Sequence, residues 1–336
     1  MSETLPLGKL PPEMLAPLLA RYGGRAPGVV VGPGLGLDAA VVEMDGRLLV
    51  VKSDPITFAT DEIGWYAVHV NANDIAALGA TPRWFLATLL LPEAATTAAL
   101  VETLFAQIAA ACADIGAALV GGHTEISYGI HRPIIIGTML GETTRERLVT
   151  AAGAQVGDAV LLTKGVGLEG TALIAREKAD ALADLPPDLV ARARDFLHDP
   201  GISILRDAAI AMAHGRVHAM HDPTEGGVAT AIYEIAAAAG VGFDIDADAL
   251  PLWPETRALC QRFGLDPLGL ISSGALLATL PQADAPAVIA ALTTANIPAA
   301  QIGRATPRES GVRLCRGGEC MPLPTFARDE LARLFG

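Results

Sequence analysis

The segment "TDEIGWYAVHVNANDIAALGATP", residues 60 to 82, constrains the fold more than any other stretch of the chain. Thr60 is a capping residue, Gly79 a helix-ending one, and Pro82 cannot continue a helix, so the spacing predicts a helix from about Asp61 to Leu78. At helical periodicity Ile63, Ala67, Val70 and Ala77 form an apolar stripe, and Asp74 enters it three residues after Asn71. A carboxylate against apolar surface loses hydration unless a cation or hydrogen-bond donors replace the water. Asp74 is therefore either a ligand or a side chain that escapes to solvent at the helix edge.

Two more carboxylates close strand-like runs. Asp38 follows "GPGLGL" and Asp54 follows "VVKS". Three carboxylates on separate elements supply the oxygen ligands that Mg2+ takes while it keeps waters and substrate phosphates in its shell. Gly34 and Gly36 before Asp38 leave backbone amides for phosphate oxygens. Lys52, two residues before Asp54, either neutralises phosphate charge or is a plain surface lysine on a strand. Together these residues describe a magnesium-nucleotide site.

Charge sharpens that reading. Twenty-four Lys and Arg against 37 Asp and Glu give a net charge of -13, which repels a nucleic-acid backbone at long range. A small anionic ligand then needs local amides, a lysine or a divalent cation. No basic segment precedes an apolar core in "MSETLPLGKLPPEML", and Asp114 and Gly116 interrupt "FAQIAAACADIGAALVGG" before it could cross a bilayer. A soluble, cytoplasmic protein without membrane partners is expected.

A chain of 336 residues is long for one core, so two domains are expected. Residues 1 to 27, with prolines 6, 11, 12, 17 and 27 around a short helical candidate, read as an arm. Residues 28 to 145 form the first domain, in the rough order ββαβαββ with neighbouring strands antiparallel. Its first two strands, 38 to 43 and 47 to 52, are joined by an Asp-Gly turn. At "GDAVLLTKGVGLEGTALIAREKA" the chain starts again, and residues 155 to 336 form a second α+β domain. Gly165, Gly167 and Gly170 have dinucleotide-site spacing, but a helical stretch follows where that fold needs a strand. A tight turn is the plainer reading.

Two polar stretches remain. In "VGGHTEI", His123 and Glu125 share one face of an extended segment, which by itself suits a surface loop. In "HDPTEGG", His221, Asp222, Thr224 and Glu225 precede Gly226 and Gly227 at the mouth of a helix; a cap by Thr224 or Asp222 accounts for only part of this polarity. Cys315 and Cys320 flank "RGGE", where a two-residue turn at Gly317 and Gly318 would place the two thiols opposite each other on neighbouring strands; a plain hairpin whose thiols stay reduced in a cytosolic protein is favoured over a zinc or redox role.

Taken in order, "GLGLDAAVV", "KSDPIT", "NANDIAALGATP", "VGGHTEI", "GDAVLLTKGVGLEG", "HDPTEGGVATAIYEIA" and "SSGALLATLP" resemble the aminoimidazole ribonucleotide (AIR) synthetase superfamily from about residue 28 to 282. The pattern looks closest to HypE-like, synthetase-related members. The resemblance implies a two-domain α+β fold whose amino-terminal sheet pairs with a second subunit's in a dimeric β-barrel, and a carboxy-terminal domain of antiparallel sheet with helices. It implies ATP and Mg2+ in the cleft, with metal at Asp38, Asp54, Asp74 and Glu125. It implies nucleotide contacts from Gly34, Gly36, Asn71, Gly121, Gly122, Thr124, Asp222, Glu225 and Gly226, and catalytic roles for Lys52 and His123.

Departures from the family pattern are Leu37, where many relatives carry an acidic residue, and His123, where several do. The sequence ends "DELARLFG", without the cysteine on which the dehydratase members act, so dehydration on its own tail is not expected. The expected activity is Mg2+-dependent phosphorylation by ATP of an amide, carboxyl or alcohol oxygen of a small metabolite. Alternatives are a thiamine-monophosphate kinase-like reaction and a nucleotide-binding maturation or regulatory protein without turnover.

Overall fold

An apolar helix without a polar stripe must be covered on every side, and the helix of residue 63 onward is. Every residue of Ile63–Ala77 except Trp65 is buried. The computed structural model describes residues 5 to 335 apart from Pro6, Arg25 and Leu35, so Pro6 of the expected arm lies outside the described residues. The first half runs α1 (Pro12–Tyr22), β1 (Val29–Val31), β2 (Ala40–Met44), β3 (Arg47–Ile56), α2 (Ile63–Ala77), β4 (Thr81–Pro92), α3 (Ala98–Asp114), β5 (Ala118–Ser127) and β6 (Ile134–Thr143). The second runs β7 (Asp158–Thr163), α4 (Leu168–Glu177), α5 (Pro187–Asp195), α6 (Leu205–His214), β8 (Ala219–His221), α7 (Gly227–Ala239), β9 (Gly242–Asp246), α8 (Pro254–Phe263), β10 (Leu277–Pro281), α9 (Ala285–Thr294), β11 (Ala299–Thr306), β12 (Val312–Arg316), β13 (Glu319–Pro322) and α10 (Glu330–Phe335).

The first half forms one six-stranded sheet in the order β1-β2-β3-β6-β4-β5, the second a seven-stranded sheet in the order β13-β12-β9-β11-β7-β10-β8. Strand β7 is buried at all six positions, as a central strand covered on both faces should be. Helix α2 packs on the first sheet and also reaches the second half. Asn73 donates to the carbonyl of Ile202 (2.8 Å) and accepts from the amide of Ile204 (3.0 Å). A buried carboxamide paired at both ends pins the two halves together there.

Several expectations are corrected. β4 and β5 are parallel, not antiparallel, because α3 carries the chain back across the sheet before β5 begins. Thr60 does not cap α2; its amide and hydroxyl both bind the Glu177 carboxylate, and the helix starts after Glu62, which has a left-handed φ of 54°. Neither Asp222 nor Thr224 caps α7, whose N-cap is Gly226. Thr97, by contrast, does cap α3, accepting from the Leu100 amide. Cys315 and Cys320 form the expected hairpin but are joined by a disulfide, against the expectation of reduced thiols.

The glycine loop at 165–170 is a turn and a packing site. The partners of β7, strands β10 and β11, are both antiparallel, so the parallel pair of a dinucleotide fold does not exist. A Cβ on Gly170 would lie 2.4 Å from Leu270 Cγ, and the Gly167 amide donates to Ser272 Oγ.

Candidate active site

Strand alternation aims Lys52 and Asp54 of β3 at the same side of the sheet as buried Val50 and Ile56, which is the side that α2 covers. Asn71 locks the strand to the helix. Its Oδ1 accepts from the Asp54 amide (2.8 Å), and its Nδ2 donates to the carbonyls of Asp54 (3.2 Å) and Ala67 (2.9 Å). The Asn71 carboxamide is thus engaged by backbone and positions Asp54. One turn later Asp74, 2 % exposed, meets Lys52: the ammonium lies 3.2 Å from Asp74 Oδ2 and 3.1 Å from Asp54 Oδ2.

Burial dominates the electrostatics here. It pushes Asp74 up to about 8 against the opposing pull of Lys52, and it raises Asp54 as well. Burial opposes the Lys52 charge, yet Asp74, Asp54 and Asp38 outweigh it and raise the ammonium above its ordinary value. Asp74 Oδ2 is within ion-pair distance of Lys52 but outside hydrogen-bonding geometry, so it keeps an unused acceptor.

From the other side come β8 and the turn that follows it. His221 stands between two carboxylates, with Nδ1 2.5 Å from Asp38 Oδ1 and Nε2 2.7 Å from Glu234 Oε2. Burial works against its charge, but the two carboxylates prevail and hold it as an imidazolium. It ties Asp38, in the first half, to α7 in the second. Gly36, at φ 67°, is needed beside it: a Cβ there would lie 3.0 Å from Glu234 Cβ. Asp222 is fully buried with no hydrogen-bond partner on either oxygen, and burial together with Asp74, Asp38 and Glu169 raises it well above the carboxylate range.

Other predicted residues are placed differently. The Gly226 amide is taken by Asp329 Oδ2 (2.7 Å). Glu225 is partly exposed and meets the Lys9 ammonium of the amino-terminal arm at 3.8 Å. Gly34 lines a cavity of about 550 Å³ between α1 and the glycine loop. Gly121, Gly122 and Thr124 lie on the exposed edge strand β5. Across the sheet, Asp54 pairs with Gly137, Gly137 with Ala87 and Ala87 with Gly122, so Gly122 and Thr124 share the helix-facing side at about 14 Å, three strand spacings, from β3. Gly122, at φ 143°, admits no Cβ, which would meet the Ala87 carbonyl oxygen. His123 and Glu125 fall on the opposite face, exposed and 3.4 Å from each other, apart from Lys52, Asp54 and Asp74.

Sequence reasoning missed four contributors. Lys9 was passed over as part of an arm, and Glu169 as part of a turn, although burial raises Glu169 to about 8. His221 was noted but given no role. Lys164 next to the glycine loop is buried, with its ammonium bonded to the carbonyls of Gly201, Ser203 and Gly274 and paired with Asp207 (3.4 Å). A lysine before two glycines was the available signal.

The donor set suits a hard cation. The buried oxygens of Asp222, which have no hydrogen-bond partner, and Asp74 Oδ2, which meets only the Lys52 ammonium, are carboxylate oxygens, the ligand type that Mg2+ takes. Mg2+ usually keeps waters and substrate phosphates in its shell, so a few such carboxylates would suffice as the protein's share.

An α+β protein of two sheets, with an acidic, lysine-bearing cluster where its halves meet, is the class that fold and site define. The chain belongs to the AIR synthase related proteins: the family model of their N-terminal domain matches residues 36–143 and that of their C-terminal domain residues 155–315. It is 34% identical over 266 residues to carbamoyl dehydratase HypE of Cupriavidus necator, covering 76% of this chain and 72% of the relative. It is 32% identical to carbamoyl dehydratase HypE of Escherichia coli, covering 83% and 82%. Among solved structures, hydrogenase maturation protein HypE in complex with ATP aligns with a TM-score of 0.71 at 26% identity, covering 92% of this chain and 90% of that one. A ThiL structure complexed with AMPPCP and TMP shares the fold, with a TM-score of 0.69 at 24% identity over 88% and 91%. Among the described residues no helix is long and apolar enough to cross a membrane.

Proposed function

We propose that this protein is an ATP-dependent enzyme that phosphorylates an amide, carboxyl or alcohol oxygen of a small metabolite. The carrying observation is the Lys52 ammonium shared by Asp54 and Asp74, together with fully buried Asp222, whose carboxylate oxygens have no hydrogen-bond partner and whose charge Asp74 opposes. Family membership and the ATP-bound HypE neighbour support the nucleotide. Asp74 and Asp222 would hold Mg2+, which supplies positive charge to the phosphates. Lys52 would turn from Asp74 to a phosphate oxygen when the cation takes that carboxylate, while Asp54 keeps its ammonium in place. Asn71 holds the Asp54 backbone and His221 holds Asp38, so both carboxylates reach the cleft in one orientation, and alignment is what phosphoryl transfer chiefly requires.

The reading includes a homodimer and a cytoplasmic setting. Val120, Ile126 and Trp84 are exposed around the unpaired edge of β5, the kind of apolar surface that a second subunit covers. Sedimentation at micromolar concentration is expected to give a dimer.

Calorimetric titration with ATP, with and without Mg2+, tests the site. Mg2+ is expected to tighten binding by at least about tenfold, and Lys52→Met to remove most of that gain. ADP release is then followed with metabolites bearing amide, carboxylate or hydroxyl groups. No nucleotide binding overturns the reading, and binding without metabolite-stimulated release replaces it with a regulatory nucleotide-binding protein.

A further inference from the structure

We propose that Asp244, Cys315 and Cys320, once the disulfide is reduced, form a binding site for a thiophilic divalent cation of the zinc class. Gly317 and Gly318, at φ 58° and 91°, make a two-residue turn of two left-handed positions that sets Cys315 directly opposite Cys320. Strand β12 pairs with β9 in the register Arg313 to Asp244, so Asp244, Arg313 and, two residues on, Cys315 face the same side. The carboxylate oxygen and the two sulfurs lie within 4.8 Å of one another, the only such trio among the described residues. All three line one groove of about 450 Å³ with Gln282, Gln301 and Arg304.

A cross-link as structural reinforcement explains little here. Cys315 and Cys320 are five positions apart, the entropy removed by closing so short a loop is small, and the turn already brings the strands together. The surroundings fit a metal better. Arg313 directs both Nε (2.8 Å) and Nη2 (2.7 Å) to Asp244 Oδ1, which orients the carboxylate and leaves Oδ2 with only Arg304 at 3.5 Å. Two thiolates and a carboxylate around a divalent cation leave one negative charge, which Arg313 offsets. Two sulfurs and one oxygen occupy three of the four positions zinc prefers, and the fourth opens to the groove.

The chemistry balances. A dithiol reductant gives two electrons and two protons to the S–S bond and becomes a disulfide itself. The cation then displaces the two thiol protons and binds the thiolates. Strand β13 and strand β8, which carries His221, are at opposite edges of the second sheet, so this site is independent of the nucleotide cleft.

The test is a zinc titration of the full-length protein against a chromophoric chelator, before and after reduction with a phosphine. The reduced protein is expected to bind one more Zn2+ per chain than the oxidised one. C315S/C320S is expected to lose that equivalent, and Asp244→Asn to weaken it at least about tenfold. Circular dichroism and melting of each sample report whether the fold persists. A folded, reduced protein that gains no zinc overturns the proposal, as does equal binding by wild type and the double variant, which would place the zinc on the carboxylates of the cleft.

Discussion

Helix α2 and strand β5 both carry polar residues that stand out in the sequence, and the structure treats them in opposite ways. Asn71, Asn73 and Asp74 of α2 are buried, and each meets a defined neighbour: the Asp54 backbone, the Ile202 carbonyl and the Lys52 ammonium. His123, Thr124 and Glu125 of β5 are exposed. Where water is excluded, the chain itself dictates the protonation and reach of a polar group. Where water has access, whatever binds there decides.

The sharpest way to break this comparison is Lys52→Met. Asp54 and Asp74 lose their shared cation, and removing one partner of a buried pair costs about 3 kcal/mol or more. Urea unfolding at pH 8 measures it, and a loss under 1 kcal/mol would mean that solvent already screens the pair. Phosphoryl transfer is expected to fall by about a hundredfold or more, because a cation aimed at transferring phosphate is gone.

A second test uses the buried interior around α2. Burial holds Glu169 at about 8 against an ordinary 4.5, beside Ser273 and near Tyr66, Glu225, Asp329 and Asp54. Between those values the folded state carries a proton that the unfolded state has lost. The stability that Glu169 contributes is therefore full below about pH 4.5 and declines as pH rises, levelling near pH 8. Glu169→Gln removes this dependence, so the variant's stability relative to wild type is expected to climb from pH 5 to pH 8, by a few kcal/mol at most. Denaturant midpoints at several pH values give the answer; a difference that stays flat with pH would show that Glu169 is ionised in the fold.

What was legible follows the same division. Asp74 stood out because a carboxylate inside an apolar stripe violates helical periodicity, and the strands on either side of Asp-Gly announced their turn. The parallel pairing of β4 and β5 was within reach, since a 17-residue helix between two strands is long enough for a crossover. Pairings between distant positions left no trace. Asp38 meets His221, Thr60 meets Glu177 and Gly226 meets Asp329 through the fold alone, with no periodic relation to reveal them. Thr60 shows the cost: its hydroxyl has the right place for a cap, but a carboxylate from the other half outcompetes the helix for it.

The smallest expected effect on stability is the most informative about assembly. His123→Ala and Glu125→Ala remove an exposed pair 3.4 Å apart, whose screened attraction contributes under about 0.5 kcal/mol, so melting of either variant should match wild type. Within one subunit neither side chain faces the side of the sheet that carries Lys52 and Asp54. If both variants keep full turnover, the β5 face is only surface. A drop in turnover of tenfold or more at unchanged melting would instead require a second subunit to bring that face to a cleft. Mixing Lys52→Met with His123→Ala protein then discriminates: recovered activity in the mixed dimer places the two residues in one site across the interface, and no recovery places them in the same chain.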